Sequence, residues 1–306
     1  MEDNKFQFVE LKASAAEHIA APHYSYWKSV FRKFFSSKVA IAMLIIAGAI
    51  VLMSIIHPFI SGYDPTLQTN INNPEMKYLT PSLEHWFGTD NIGDDLFDAV
   101  WLGTRTSLFV SAAATSITTI LGVIVGAFWG YSKKMDKIML EVYNIVANVP
   151  FTLLVMVLMY VLGNGVPQLI FSLSVTSWLG IAYFIRVQVL IIRDREYNLA
   201  SRCLGTPTSK VIIHNILPYL VSVIVTSVAR DIPTYISYEV FLSFLGVGLG
   251  VGDQSLGRMI ETYSQDMDAV PYLFWIPVAV SAIISVSLYV VGQTMADASD
   301  PRTHMM

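Results

Sequence analysis

Charge and cysteine are both scarce in this sequence. Asp, Glu, Lys and Arg make up 14% of its 306 residues, well below the roughly 25% of soluble domains. Hydrophobic residues make up 54%, and mean hydropathy is +0.55. So little charge cannot cover a folded chain of this size, and the sequence reads as an integral membrane protein. The single cysteine, Cys203, excludes an internal disulfide framework. The histidines (His18, His23, His57, His85, His214 and His304) form no metal-ligand spacing. No G-x-x-x-x-G-K-[ST] phosphate loop, H-E-x-x-H or G-x-S-x-G is present, which leaves an enzyme reading without support. Gly246–Gly252 imitates a dinucleotide loop but lacks the strand-to-helix unit and acidic partner, so it reads as a flexible turn. No bound cofactor, metal or nucleic acid is expected.

What the chain does have is long apolar runs. A spanning helix needs about 20 apolar residues. Six stretches qualify: 39–60, 105–131, 138–162, 166–192, 211–234 and 272–294. They are too long and uniform for barrel strands, so an all-α polytopic fold with six transmembrane helices is expected. The first run starts too far in to be a secretory signal. Residues 1–38 therefore read as a cytoplasmic tail. Its segment Ser25–Lys38 mixes aromatics with cations and suits an interfacial helix, the alternative being a disordered basic tail.

Lysine and arginine set the orientation. With both termini inside, only Lys77, Arg105, Arg230 and Arg258 of the 19 Lys and Arg residues fall outside. The chain then divides into the tail 1–38, a first span 39–60 and an extracytoplasmic loop 61–104. A core 105–294 follows, and a cytoplasmic tail 295–306 ends the chain. After the fifth run, Tyr235–Gly246 is apolar but too short to span. It reads as a re-entrant half-helix, or as an extension of the preceding span past Pro233.

Arg186, Arg230, Asp231 and Glu239 lie in or beside apolar runs, where ions are costly. Either they face a polar path through the bundle or they snorkel from span ends. Arg230, Asp231 and Glu239 are the candidate path-lining residues. Gly122, Gly126 and Gly130 repeat every four residues and favour close helix packing.

The most informative segment is the charged insert 193–218 inside the core. Asn198–Leu204 can form a short helix, and Gly205 suits the positive-φ stop after it. Thr206 is a good N-cap and Pro207 a good first residue for a second helix running towards the fifth span. The expectation is helix, tight turn, helix on the cytoplasmic face.

These residues resemble the "EAA" loop of ABC importer permeases, with Ala200, Gly205, Leu217 and Pro218 at its positions. Leu199 stands where that family often has glutamate, and Ser201 where its second alanine falls, leaving Glu196 and Arg202 to compensate. His85-Trp-Phe-Gly-Thr-Asp-Asn-Ile-Gly-Asp-Asp95 is similar to the H-x-x-G-T-D-x-x-G-x-D signature of peptide permeases. Tyr238–Gly248, followed by Ser255-Leu-Gly257, and Gly292–Arg302 resemble two further signatures. The likeness covers about residues 25–302 and is strongest to the C-type permease of oligopeptide and dipeptide importers.

The resemblance implies a type I ABC importer permease fold and one half of a heterodimeric translocation pathway in the cell membrane. It further implies a second permease subunit, two cytoplasmic ATPases that use ATP and Mg, an extracytoplasmic peptide-binding lipoprotein, peptide substrate and surrounding membrane lipid. The insert would couple to the ATPases through Glu196, Ala200, Arg202, Gly205, Leu217 and Pro218. Carriage of dipeptides, nickel or another solute, or transport driven by an ion gradient, are the alternatives.

Overall fold

The structure, a computed structural model, describes residues 26–67, 70–250 and 252–299. Among the described residues it is all helical, apart from an isolated bridge between Thr89 and Asp95. A backbone in hydrocarbon must satisfy its own hydrogen bonds, and helices do so within one segment. The elements are α1 (Tyr26–Phe34), α2 (Lys38–Ser61), α3 (Leu96–Tyr131), α4 (Lys133–Ala147), α5 (Phe151–Leu162) and α6 (Val166–Ile192). They continue with α7 (Glu196–Cys203), α8 (Thr208–Val211), α9 (Leu217–Phe244), α10 (Leu256–Tyr263) and α11 (Pro271–Ser299). A π-helical turn, Ile212–Ile216, joins α8 to α9. Among the described residues, five helices are long and apolar enough to cross a membrane, or six if the bent pair α4 and α5 is one crossing.

The segment expected to be an interfacial helix folds as the helix α1. Its Val30 and Phe34 pack on Ala40 and Ala298, and the Tyr26 hydroxyl donates to the Ser299 carbonyl at 2.7 Å. Trp27, Phe31 and Phe35 stay exposed. Residues 1–25 lie outside the described residues, as do the Asp300, Pro301 and Arg302 of the C-terminal signature.

Three boundaries differ from the hydropathy reading. α3 begins at Leu96 rather than near 105, because the Asp95 side chain caps it by accepting from the Phe97 N–H at 2.8 Å. The connecting loop is therefore 62–95. The run 138–162 is broken, with α4 and α5 meeting at 82°. Pro150 lacks an N–H and pushes Val149 out of the helical region. The run 235–246 is no separate half-helix. α9 carries on through Pro233 to Phe244, where Gly246 at φ +72° ends it in a Schellman turn. Gly246 N–H donates to Ser243 O at 2.9 Å, and Val247 N–H to Leu242 O at 3.0 Å.

The bundle is built on the α3–α6 seam. Side chains added at Gly122, Gly126 and Gly130 would run into Ile181, Ala182 and the Arg186 carbonyl in turn. The expected glycine stripe thus brings two parallel helices to backbone contact, as small residues do in membranes. Because contacts advance along both helices together, loop 62–95 and insert 193–216 lie at opposite ends. At the insert end, Arg186 forms a bidentate pair with Asp136 of α4, Nη2 to Oδ2 at 3.1 Å. Pro233 leaves the Ala229 carbonyl without its helical donor, and Gly292 of α11 packs directly against that carbonyl.

Candidate functional sites

The insert folds as a compact knob. α7 ends in a second Schellman turn around Gly205, which has φ +77°. Gly205 N–H donates to Arg202 O, and Thr206 N–H to Ser201 O, both at 3.0 Å. The second helix starts one residue later than the sequence suggests. Pro207 is its cap residue, extended at ψ 146°, and Thr206 supplies no capping bond. Val211 N–H closes the first turn on the Pro207 carbonyl at 3.2 Å. Pro218 has no N–H for the His214 carbonyl four residues back, and the π-turn 212–216 falls directly before it.

Few side chains hold the knob together. Asn198 is completely buried, and its Nδ2 donates to Ile192 O at 3.0 Å. Asn215 Nδ2 donates to Ser201 Oγ at 3.1 Å, tying the second half to α7. Tyr197 and Tyr219 rings lie 6.0 Å apart. Beneath them Val211, Ile212, Ile216 and Leu220 pack on Ala127, Ile185 and Val189, anchoring the knob to the α3–α6 seam. Of the predicted coupling residues, Glu196, Ala200, Arg202, Gly205 and Pro218 are exposed and Leu217 is half-buried. Arg202 turns back on the protein. Its Nη2 donates to Arg193 O at 3.2 Å and Asp194 Oδ1 at 3.1 Å, and its guanidinium lies over the Tyr131 ring. Hydrogen bonds from Arg193 and Arg202 hold the Asp194 carboxyl below the usual aspartate range.

At the other end, loop 62–95 and α10 form a cap, in which the residues of the H-x-x-G-T-D-x-x-G-x-D signature hold the chain in place. His85 Nδ1 lies 2.8 Å from Asp95 Oδ2 while Asp95 also caps α3. Gly88, at φ +81°, sits under the Tyr272 ring, where no side chain fits. The Thr89 hydroxyl donates to Met76 O at 2.6 Å and accepts from Leu79 N–H at 2.9 Å. Asp90 accepts from Ile92 N–H at 2.9 Å, Asp94 N–H at 2.8 Å and the Tyr263 hydroxyl at 3.0 Å. The Tyr63 hydroxyl donates to Asp94 at 3.1 Å. Burial raises the Asp90 carboxyl above its ordinary value, although its hydrogen bonds oppose the shift. Asp94 is raised by burial and then by the charge of Asp90. Burial also raises the Tyr63 and Tyr263 hydroxyls, with the neighbouring aspartates adding to it.

The three candidate path residues are not brought together. Arg230 is exposed. Asp231 is half-buried in a cleft of about 230 Å³. Glu239 is fully buried, accepting from Ser107 Oγ at 2.6 Å and Ser243 Oγ at 3.0 Å. Ser107 Oγ in turn accepts from Leu256 N–H at 3.3 Å, so Glu239 ties α9 to α3 and α10. Ser243 is one turn from Glu239 on α9, but Ser107 lies 132 residues away and gives no sequence signal. Asn198 looks like an ordinary loop amide in the sequence and gives none either.

Long apolar helices joined by glycine seams, with a helix–turn–helix knob at one end and a capped loop at the other, define a polytopic transport subunit. Residues 86–305 match the family of the binding-protein-dependent transport system inner membrane component, and the chain belongs to it. Residues 25–81 match the N-terminal TM domain of oligopeptide transport permease C. The chain is 52% identical to the oligopeptide transport system permease protein AmiD of Streptococcus pneumoniae, over 99% of both chains. It is 35% identical to the oligopeptide transport system permease protein OppC of Bacillus subtilis, over 98% of this chain and 97% of that one. It is 34% identical to the dipeptide transport system permease protein DppC of the same species, over 98% and 93%.

Proposed function

We propose that this chain is the permease subunit of an ATP-driven oligopeptide importer, forming half of the translocation pathway beside a second, homologous permease. The observation that carries the reading is the exposed, Gly205-stopped knob on a chain that also shares its full length with oligopeptide permeases. Lys133, Lys134, Lys137, Arg193, Arg195, Arg202 and Lys210 lie at the knob's end, which supports a cytoplasmic knob and cytoplasmic termini. Two ATPases would power the complex with ATP and Mg, one of them gripping the knob there. A lipid-anchored peptide-binding protein would meet the cap on the opposite side. Closing of the ATPases would bias the knob, and through the α3–α6 seam the bundle, between two access states.

The test is co-purification from native membrane followed by ATPase assay in vesicles. Recovery of a second permease and two ATPases, with hydrolysis stimulated by oligopeptide and its delivering protein, is expected. Recovery of the chain without ATPases, or solute uptake that follows an ion gradient and ignores ATP, overturns the reading. Stimulation by dipeptide or nickel alone would reassign the cargo.

A further inference from the structure

Asp231 is the fifteenth of the 28 residues of α9, near the middle of a helix that crosses the bundle. An ionisable side chain inside such a span is costly, so it persists where it meets charge or a polar path. Glu239 meets its cost with serine hydroxyls inside the subunit, whereas Asp231 does not. No hydrogen bond or ion pair reaches its carboxylate among the described residues. The carboxylate instead borders open space. Its cleft is lined by Phe151, Ser177, Gly180, Thr234, Tyr235 and Tyr238.

That cleft adjoins a larger one of about 530 Å³ at the α4–α5 break, sharing Phe151, Ser177 and Gly180 with it. The larger cleft adds Asn148 and Thr176. Together they offer hydroxyl and amide groups of the kind a peptide backbone needs, and Gly180 leaves the α6 wall open. Among the described residues, no lysine or arginine lines either cleft, and Asp231 is the one carboxylate in their linings. Arg230, about 100° further round the helix, lines neither. It acts on Asp231 from outside the clefts without forming an ion pair.

Building on the oligopeptide reading, we infer that Asp231 is an anchoring point for the α-ammonium group of the peptide as it crosses. A terminal ammonium is the one cation that every unmodified peptide carries, whatever its sequence. A carboxylate that faces uncharged hydrogen-bonding groups across the cleft matches that demand and asks nothing of the side chains. The peptide would then stand amino end at α9, its backbone extending along Ser177 towards the α4–α5 break.

The test uses the full complex in vesicles, with Cys203→Ser to remove this chain's own thiol and Thr234→Cys one turn from Asp231. Short peptides with neutral side chains carry a maleimide on either the first or the last side chain. Labelling of the thiol introduced at position 234 should be at least fivefold faster by the first-residue reagent, with the preference lost when Asp231→Asn is added. Equal labelling by the two reagents, a preference that survives Asp231→Asn, or no labelling while peptide uptake proceeds, each overturns the inference. Uptake of unmodified peptide by the wild-type complex in the same vesicles tests the oligopeptide reading separately. Its absence counts against that reading, and against the anchoring point that rests on it.

Discussion

The cap and the knob sit at opposite ends of the same helices and are built in opposite ways. In the cap, polar side chains of the 85–95 signature are tied within the loop or to α10: His85 to Asp95, Asp94 to Tyr63, Asp90 to Tyr263. In the knob, a turn with positive φ, two asparagine bonds and the Arg202 bonds fix the shape, and all the predicted contact residues but Leu217 stay exposed. Both ends expose apolar side chains, Leu83 at 96% and Trp86 at 64% in the cap, Leu204 at 86% and Tyr219 at 63% in the knob, but the cap turns its polar groups on itself. A segment meant to hold its own conformation satisfies its groups internally, whereas one meant to be gripped keeps a defined shape and an unsatisfied surface.

The largest expected effect comes from breaking the knob's turn. Nothing lies within 4 Å of a side chain added at Gly205, so space does not forbid substitution. The backbone does, because at φ +77° an L-residue costs roughly 1–2 kcal/mol and a β-branched one more. Gly205→Val should lower peptide uptake at least tenfold while the complex still assembles. Gly205→Asn, which tolerates left-handed φ, should keep most of the uptake. Wild-type uptake in the valine variant, or equal loss in both, would show that the turn's shape is not what the partner needs.

The cap–knob contrast also explains what the sequence discloses. The knob is legible because its signals are local: Gly205, Pro207 and Pro218 each dictate backbone within a few residues. The glycine stripe 122–126–130 is legible for the same reason. Hydropathy misses the α4–α5 break because it runs straight through Pro150, whose effect is on geometry and leaves polarity unchanged. It misses the start of α3 because Asp98 interrupts the apolar run, while the signal that matters is the cap residue Asp95. The cap's ties and the Glu239 cluster are invisible for a different reason. Tyr263 is 173 residues from Asp90, and only the closed bundle brings them together. The Arg202 contacts with Asp194 and Tyr131 give no sequence signal, since Tyr131 belongs to another helix.

A smaller effect should distinguish the cap by its response to pH. Asp90 has a folded pKa above its unfolded one, so its contribution to stability is fully present below about pH 3.8 and is lost as pH rises through the raised value. Asp94 acts in the same direction. Hydrogen exchange at the Ile92–Asp94 amides, corrected for intrinsic rates, should therefore show protection falling from acid towards neutral pH. Asp90→Asn should flatten that trend. Tyr263→Phe, which removes one donor from Asp90, should cost about 1 kcal/mol of local protection at neutral pH. Protection that rises with pH would mean that the hydrogen bonds to Asp90 outweigh its burial.

The smallest effect concerns Arg202, and it bears directly on the contrast. Its ion pair with Asp194 is solvent-exposed on both sides, at 38% and 57%, and exposed pairs contribute under about 1 kcal/mol. If Arg202 serves mainly to brace the knob against Tyr131 and the Arg193 carbonyl, Arg202→Ala should loosen α7 slightly. Peptide uptake should then fall by less than about fivefold, the factor that ~1 kcal/mol corresponds to. Exchange at the α7 amides and uptake by the same preparation would be measured together. A tenfold loss of uptake with α7 protection unchanged would point the other way, because bracing alone cannot produce it. Arg202 would then leave Asp194 when a partner docks, and the knob would hold its charge in reserve for that partner.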